Sequence, residues 1–138
     1  LERALRRHDA ALDILRLQPP TLVHNDLAPK NILVGNEGER KVRIVDWELS
    51  GIGAGCLDIA HLAAGLDEEA EWRLVETYLD EARKRGAVAI VCGEPRQAIA
   101  ACKLEKTLYR LARSGKWGLP EETLRNWIGQ ITRQLDSF

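Results

Sequence analysis

The sequence predicts a mainly helical α+β fold, and three features predict it. Four long stretches carry apolar residues at helical spacing, two short β-branched runs flank a turn-rich pentapeptide, and no apolar stretch nears the ~20 residues of a membrane span. The chain has 138 residues, 45% hydrophobic and 30% charged, the composition of one ordinary globular domain. Its 20 basic and 21 acidic side chains sum to −1. That balance excludes a strongly basic nucleic-acid binder and an acidic disordered tail. Cys56, Cys92 and Cys102 form an odd set without C-x-x-C spacing. They read as reduced thiols of a cytoplasmic protein rather than as a disulfide framework or a zinc site.

The elements follow in chain order. Leu1, Leu5, Ala11, Leu12 and Leu15 form a helical stripe over 1–17, stopped by Pro19-Pro20. Residues 31–34 and 41–46 are extended runs around Gly35-Asn36-Glu37-Gly38-Glu39, so they read as a hairpin. Pairing Leu33 with Ile44 sets Asn31 opposite Asp46 at the hairpin's open end. Residues 51–56, rich in glycine, read as a flexible connection into a short apolar helix over 56–65. The stretch 67–85 has acidic residues first and basic residues last, which complements the helix dipole, and Gly86 ends it. Pro95 opens a helix to Ser114, and Pro120 opens another to Leu135. The run 87–92 is apolar and β-branched, and its pattern fits a strand or a loose connection equally.

Chemistry concentrates in two segments, Val23-His24-Asn25-Asp26-Leu27-Ala28-Pro29-Lys30-Asn31 and Ile44-Val45-Asp46-Trp47-Glu48. Asp26 lies in a polar loop, Asn31 is five residues on, and the expected register adds Asp46. Two carboxylates and an amide oxygen are hard oxygen ligands of the kind that magnesium prefers alongside substrate phosphates. A carboxylate at such a site also accepts the proton of an attacking hydroxyl.

With those residues in view, the chain resembles the C-terminal lobe of the aminoglycoside phosphotransferase and choline kinase superfamily, small-molecule kinases with a protein-kinase-like fold. The H-x-D-x-x-x-x-N catalytic loop matches His24, Asp26 and Asn31. The D-x-E metal motif matches Asp46-Trp47-Glu48, and a later D-I-A matches Asp58-Ile59-Ala60. The detailed match covers residues 21–64. The resemblance implies that Asp26 is the catalytic base, that Asn31 and Asp46 hold Mg2+, and that His24 and Asp58 support the catalytic loop. Glu48 is a possible substrate or metal-loop contact. It further implies ATP as phosphoryl donor and a small hydroxylated acceptor, with neither nucleic acid nor membrane as partner.

Protein kinases place Lys two residues after the catalytic Asp, where this chain has Ala28, and they insert a long activation segment after the metal Asp. Here eleven residues separate Asp46 from Asp58, too few for a peptide-substrate platform. Asn25, Glu48 and the Asp58-Ile59-x-His61 spacing lean toward choline and ethanolamine kinases, although Asn25 and Glu48 also occur in diverse bacterial phosphotransferases. His61 reads as a packing or hydrogen-bonding histidine. The whole chain, 1–138, is expected to be a single catalytic-loop lobe. It opens inside a helix and shows no upstream glycine-rich loop or nucleotide-binding lysine. The N-terminal lobe is then a missing partner, and the fragment is expected to be inactive alone. Two rival readings are a metal-dependent phosphohydrolase built on Asp26, Asp46, Asp58 and His61, and a catalytically silent kinase-like interaction module.

Overall fold

The computed structural model describes residues 2–35, 41–87, 91–136 and 138. The turn residues 36–40, and residues 88–90 of the ambiguous run 87–92, lie outside this set. The chain is α+β and mainly helical, and it divides into two compact units, Leu1–Gln18 with Val91–Phe138, and Pro19–Ile90.

The first unit contains helices α1 (Glu2–Arg16), α4 (Pro95–Arg113) and α5 (Glu121–Leu135). Ala11, Ala101 and Leu104 are fully buried at its centre, with Ile14, Leu15, Leu108, Ile131, Leu135 and Phe138 packed around them. Alanines at the contact let the helix backbones approach closely while the larger side chains fill the flanks. Polar groups tie the same helices together: His8 Nε2 meets Glu105 Oε1 at 2.9 Å, and Arg7 pairs with Asp136. The Gln18 amide closes α1, donating to the Ile14 carbonyl at 2.8 Å and the Cys92 carbonyl at 3.0 Å, and accepting from Cys92 N at 3.0 Å. Pro19 and Pro20 offer no backbone donor, so a side-chain amide takes over where the helix must stop.

The second unit runs β1 (Pro20–Val23), a 3-10 turn (Pro29–Asn31), β2 (Ile32–Val34), β3 (Val42–Ile44), a second 3-10 turn (Trp47–Leu49), β4 (Gly51–Ala54), α2 (Cys56–Leu62) and α3 (Glu68–Lys84). Helix α3 is punctuated as its sequence demands. Asp67 Oδ1 accepts from Ala70 N at 2.8 Å at its start. Gly86, at φ 81°, closes it with bonds from Gly86 N to Arg83 O and from Ala87 N to Ala82 O.

Two expectations are corrected. The expected hairpin exists, but Ile32 pairs with Ile44, Leu33 with Arg43 and Val34 with Val42. Asn31 therefore stands opposite Val45, whose N–H donates to the Asn31 carbonyl at 3.0 Å, and Asp46 lies one residue further on. A one-residue slip exchanges the faces of a strand. The observed register gathers Ile32, Val34, Val42 and Ile44 on one face and sends Arg43 to the other.

The second correction concerns residues 51–54, which form a strand and not a flexible connection. β4 pairs antiparallel with β1, Leu22 opposite Ile52 and Val23 opposite Gly51. Its glycines serve space rather than flexibility. A Cβ on Gly53 would stand 3.1 Å from Val23 Cγ2 and 3.3 Å from Leu57 Cδ1, and one on Gly55 would stand 3.1 Å from both Thr21 Cγ2 and the Tyr78 hydroxyl. Val23 is 1% exposed, and full burial of such a side chain contributes about 1.5–3 kcal/mol. The β1–β4 ladder thus closes the base of everything between Val23 and Gly51, which includes both chemical segments.

Candidate active site

His24 follows the last residue of β1, where the chain turns away from the ladder. The Asp58 carboxylate, in the first turn of α2, catches that turn: Oδ2 accepts His24 N–H at 2.7 Å and Oδ1 accepts Asn25 N–H at 3.0 Å. Asn25 adopts φ 65°, a left-handed conformation that costs a non-glycine residue free energy and that Asn tolerates best. Its side-chain amide donates to the Leu49 carbonyl at 2.9 Å. One residue thus ties the first chemical segment to the 3-10 turn in which the second ends.

The His24 ring is 1% exposed and makes two directed bonds. Nε2 lies 2.8 Å from the Val45 carbonyl, which only accepts, so Nε2 carries the proton. Nδ1 then accepts from Asp26 N–H at 3.3 Å. The ring bridges the backbone of Asp26 and the backbone beside Asp46. Trp47 packs on it, ring centroids 4.8 Å apart and tilted by 52°, while Trp47 Nε1–H donates to the Ile44 carbonyl at 2.9 Å.

Asp26 and Asn31 are joined directly. Asn31 is 5% exposed, and its Nδ2 donates to the Asp26 carbonyl at 2.8 Å and to Asp26 Oδ2 at 3.2 Å. Both bonds use the amide nitrogen and leave the amide oxygen out of the contact with Asp26. Pro29 sets the 3-10 turn that delivers Asn31 to this place. Asp46 is exposed at φ 66°, and its carboxylate does not cap the turn that follows it. Two strained non-glycine residues, Asn25 and Asp46, flank one constellation, as held backbone geometry at reaction centres often does. An amide oxygen and a carboxylate match the donor set that magnesium takes from a protein, the remaining positions going to water and phosphate oxygens. The donor types of Asn31 and Asp46 fit that ion.

Lys30 was not singled out by its sequence context. Its Nζ lies 2.7 Å from Asp26 Oδ2. The hydrogen bond and charge of Asp26, with smaller contributions from Asp46 and Glu48, hold the ammonium above its usual pKa against a small opposing effect of burial. Three carboxylates therefore act on one lysine. The signal was the Asp-x-x-x-Lys spacing, which looks like an ordinary exposed pair.

Asp58 and His61 do not join this cluster as metal ligands. Both Asp58 oxygens are engaged by backbone amides, and His61 is buried on α2. Among the described residues, no three His, Cys, Asp or Glu side chains gather to hold a metal. A two-metal hydrolase centre requires such a gathering, with ions ~3.5–4 Å apart.

A family model described as the phosphotransferase enzyme family matches residues 1–91. The chain belongs to the phosphotransferase enzyme family. The matched span contains every site residue named above, from His24 to Asp58. No curated protein and no solved structure matches the chain. Among the described residues, no helix is long and apolar enough to cross a membrane.

Proposed function

We propose that this phosphotransferase is an ATP- and magnesium-dependent kinase of a small hydroxylated molecule. The reading is carried by the joint placement of Asp26 and Asn31, with the Asn31 amide bound to both the carbonyl and the carboxylate of Asp26. Asp26 accepts the proton of the acceptor hydroxyl as its oxygen attacks the γ-phosphorus. The new O–P bond forms while the bond to the β–γ bridging oxygen breaks, and the electron pair leaves with ADP. Asn31 and Asp46 would hold the metal, which would supply positive charge against the negative charge that develops on the phosphate oxygens. Asp58 and His24 do no chemistry. They fix the backbone of residues 24–26 and 45, so that Asp26 and Asp46 keep their separation.

The acceptor belongs to the class of aminoglycosides, choline, ethanolamine and sugar-like alcohols, since eleven residues between Asp46 and Asp58 leave no peptide platform. Cys56, Cys92 and Cys102, read as reduced thiols, suit a reducing cytoplasm. The glycine-rich loop and lysine that cover nucleotide phosphates are proposed to come from an N-terminal lobe outside these residues, and activity to need that lobe. The test is to incubate the full-length chain with ATP, magnesium and a panel of hydroxylated metabolites, and to follow ADP and the phosphate ester. Metal-dependent ester formation with one acceptor class is the expected result. Phosphate release from simple esters without an acceptor would favour hydrolysis instead.

A further inference from the structure

The catalytic loop carries a cation that the function above leaves unused. Lys30 is four residues beyond Asp26 and one before Asn31, and its Nζ stands 2.7 Å from Asp26 Oδ2. The other groups at this point are acidic: Asp26 and Asp46, with Glu48 in the following turn. The earlier position that protein kinases fill with lysine is Ala28, which carries no charge. A hydroxyl hydrogen-bonded to a carboxylate base lies about 2.6–3.2 Å from it, and its oxygen lies about 3–3.5 Å from the phosphorus that it attacks. An ammonium on that same carboxylate is then one short swing of its terminal bonds from the phosphoryl oxygens. The Lys30 side chain is 65% exposed and so has room for that movement.

We propose that Lys30 contacts the γ-phosphate, its ammonium moving between Asp26 Oδ2 and the phosphoryl oxygens as the acceptor hydroxyl attacks. The inference rests on the phosphotransferase reading of the site. Little in phosphoryl transfer is left to the protein beyond positioning and charge, so a cation beside the base acts on the step that matters. The bland alternative is an exposed ion pair spanning four residues, which matters little to stability and nothing to phosphate. A third role, merely holding the Asp26 carboxylate in place, would alter turnover without sensing the γ-phosphate.

ATP and ADP differ by that phosphate, and this separates the three. Binding of Mg-ATP and Mg-ADP to the full-length chain is measured by calorimetry for the wild type, Lys30→Met and Lys30→Arg, with turnover alongside. The expected result is a loss of roughly tenfold in ATP affinity for Lys30→Met, the scale of one charge-assisted hydrogen bond, with ADP affinity unchanged and Lys30→Arg partly restored. Equal effects on ATP and ADP, or none on either, would overturn the role of Lys30 while leaving the phosphotransferase intact. A wild type that binds neither nucleotide would overturn the parent reading and this one with it.

Discussion

Asp58 Oδ2 accepts the backbone N–H of His24 at 2.7 Å, across 34 residues of sequence. Its other oxygen takes Asn25 N–H at 3.0 Å. One carboxylate therefore anchors the loop that carries Asp26, the proposed base. Asp58→Asn leaves a single acceptor oxygen and sets an amide NH2 against one of the two N–H groups. Unsatisfied groups of this kind cost about 1–3 kcal/mol. Thermal unfolding should shift downward by that amount, and turnover should fall because Asp26 loses its fixed position.

His24 offers a separate check on the same loop. His24→Phe keeps an aromatic ring beside Trp47 but abandons the Val45 carbonyl and the Asp26 N–H. Each orphaned group costs on the order of 1–3 kcal/mol. Denaturant unfolding should show a loss of several kcal/mol. A variant as stable as the wild type would mean that water replaces both bonds.

Asp46 and Asp26 should separate in their effects. Asp46→Asn exchanges the charged carboxylate of a proposed metal ligand for a neutral amide and should remove most metal-dependent nucleotide binding. Asp26→Asn should spare nucleotide affinity and lower turnover by roughly 10² or more, the scale of a lost general base. Calorimetry and steady-state rates on the two variants test this division. Equal loss of binding in both would contradict it.

Gly53 lies where a side chain has no room. Gly53→Ala places a methyl 3.1 Å from Val23 Cγ2 and 3.3 Å from Leu57 Cδ1, so the β1–β4 ladder must yield by a few tenths of an ångström. Overpacking of a closed site costs about 1–3 kcal/mol. Denaturant unfolding should show that loss, whereas Ala at Gly115, which faces nothing within 4 Å, should not.

Tyr78 predicts an alkaline effect. Burial, and then the charges of Cys56 and Asp58, push its phenol above the ordinary 10.0. Between that value and the raised one, the unfolded chain ionises while the folded chain keeps its proton. Stability is therefore fully present below pH 10 and falls as pH rises through the folded value. Unfolding measured against pH should decline less steeply above 10 in Tyr78→Phe than in the wild type.

How much was legible from sequence divides by distance along the chain. Helix ends were readable because their signals are local: Pro19-Pro20 after α1, Asp67 and Gly86 around α3, Pro95 at the head of α4. That Asp26 and Asn31 share one site was readable from their five-residue spacing, whereas the bonds from the Asn31 amide to the Asp26 carbonyl and carboxylate were not. The hairpin was readable in kind but not in register, because β-branched residues on both strands satisfy two pairings one residue apart. Only the facing of Ile32 with Ile44 chooses between them.

What the sequence by itself determined is a set of short-range preferences: helices with their caps, a hairpin, and a motif whose residue types suit metal and proton. What the tertiary structure decided is where long-range partners land. β4 is the short run Gly51-Ile52-Gly53-Ala54, too brief for a readable alternation, and its pairing with β1 sets Gly53 where Val23 needs the space. That pairing brings α2, and with it Asp58, under His24, and it sets the Val45 carbonyl against the imidazole. Lys30 was visible as a letter, but its ion pair with Asp26 Oδ2 appears only in the folded chain. A local pattern records what a residue prefers. The free energy of closing a loop over 34 residues depends on backbone groups that every sequence shares, and only the folded chain pairs them.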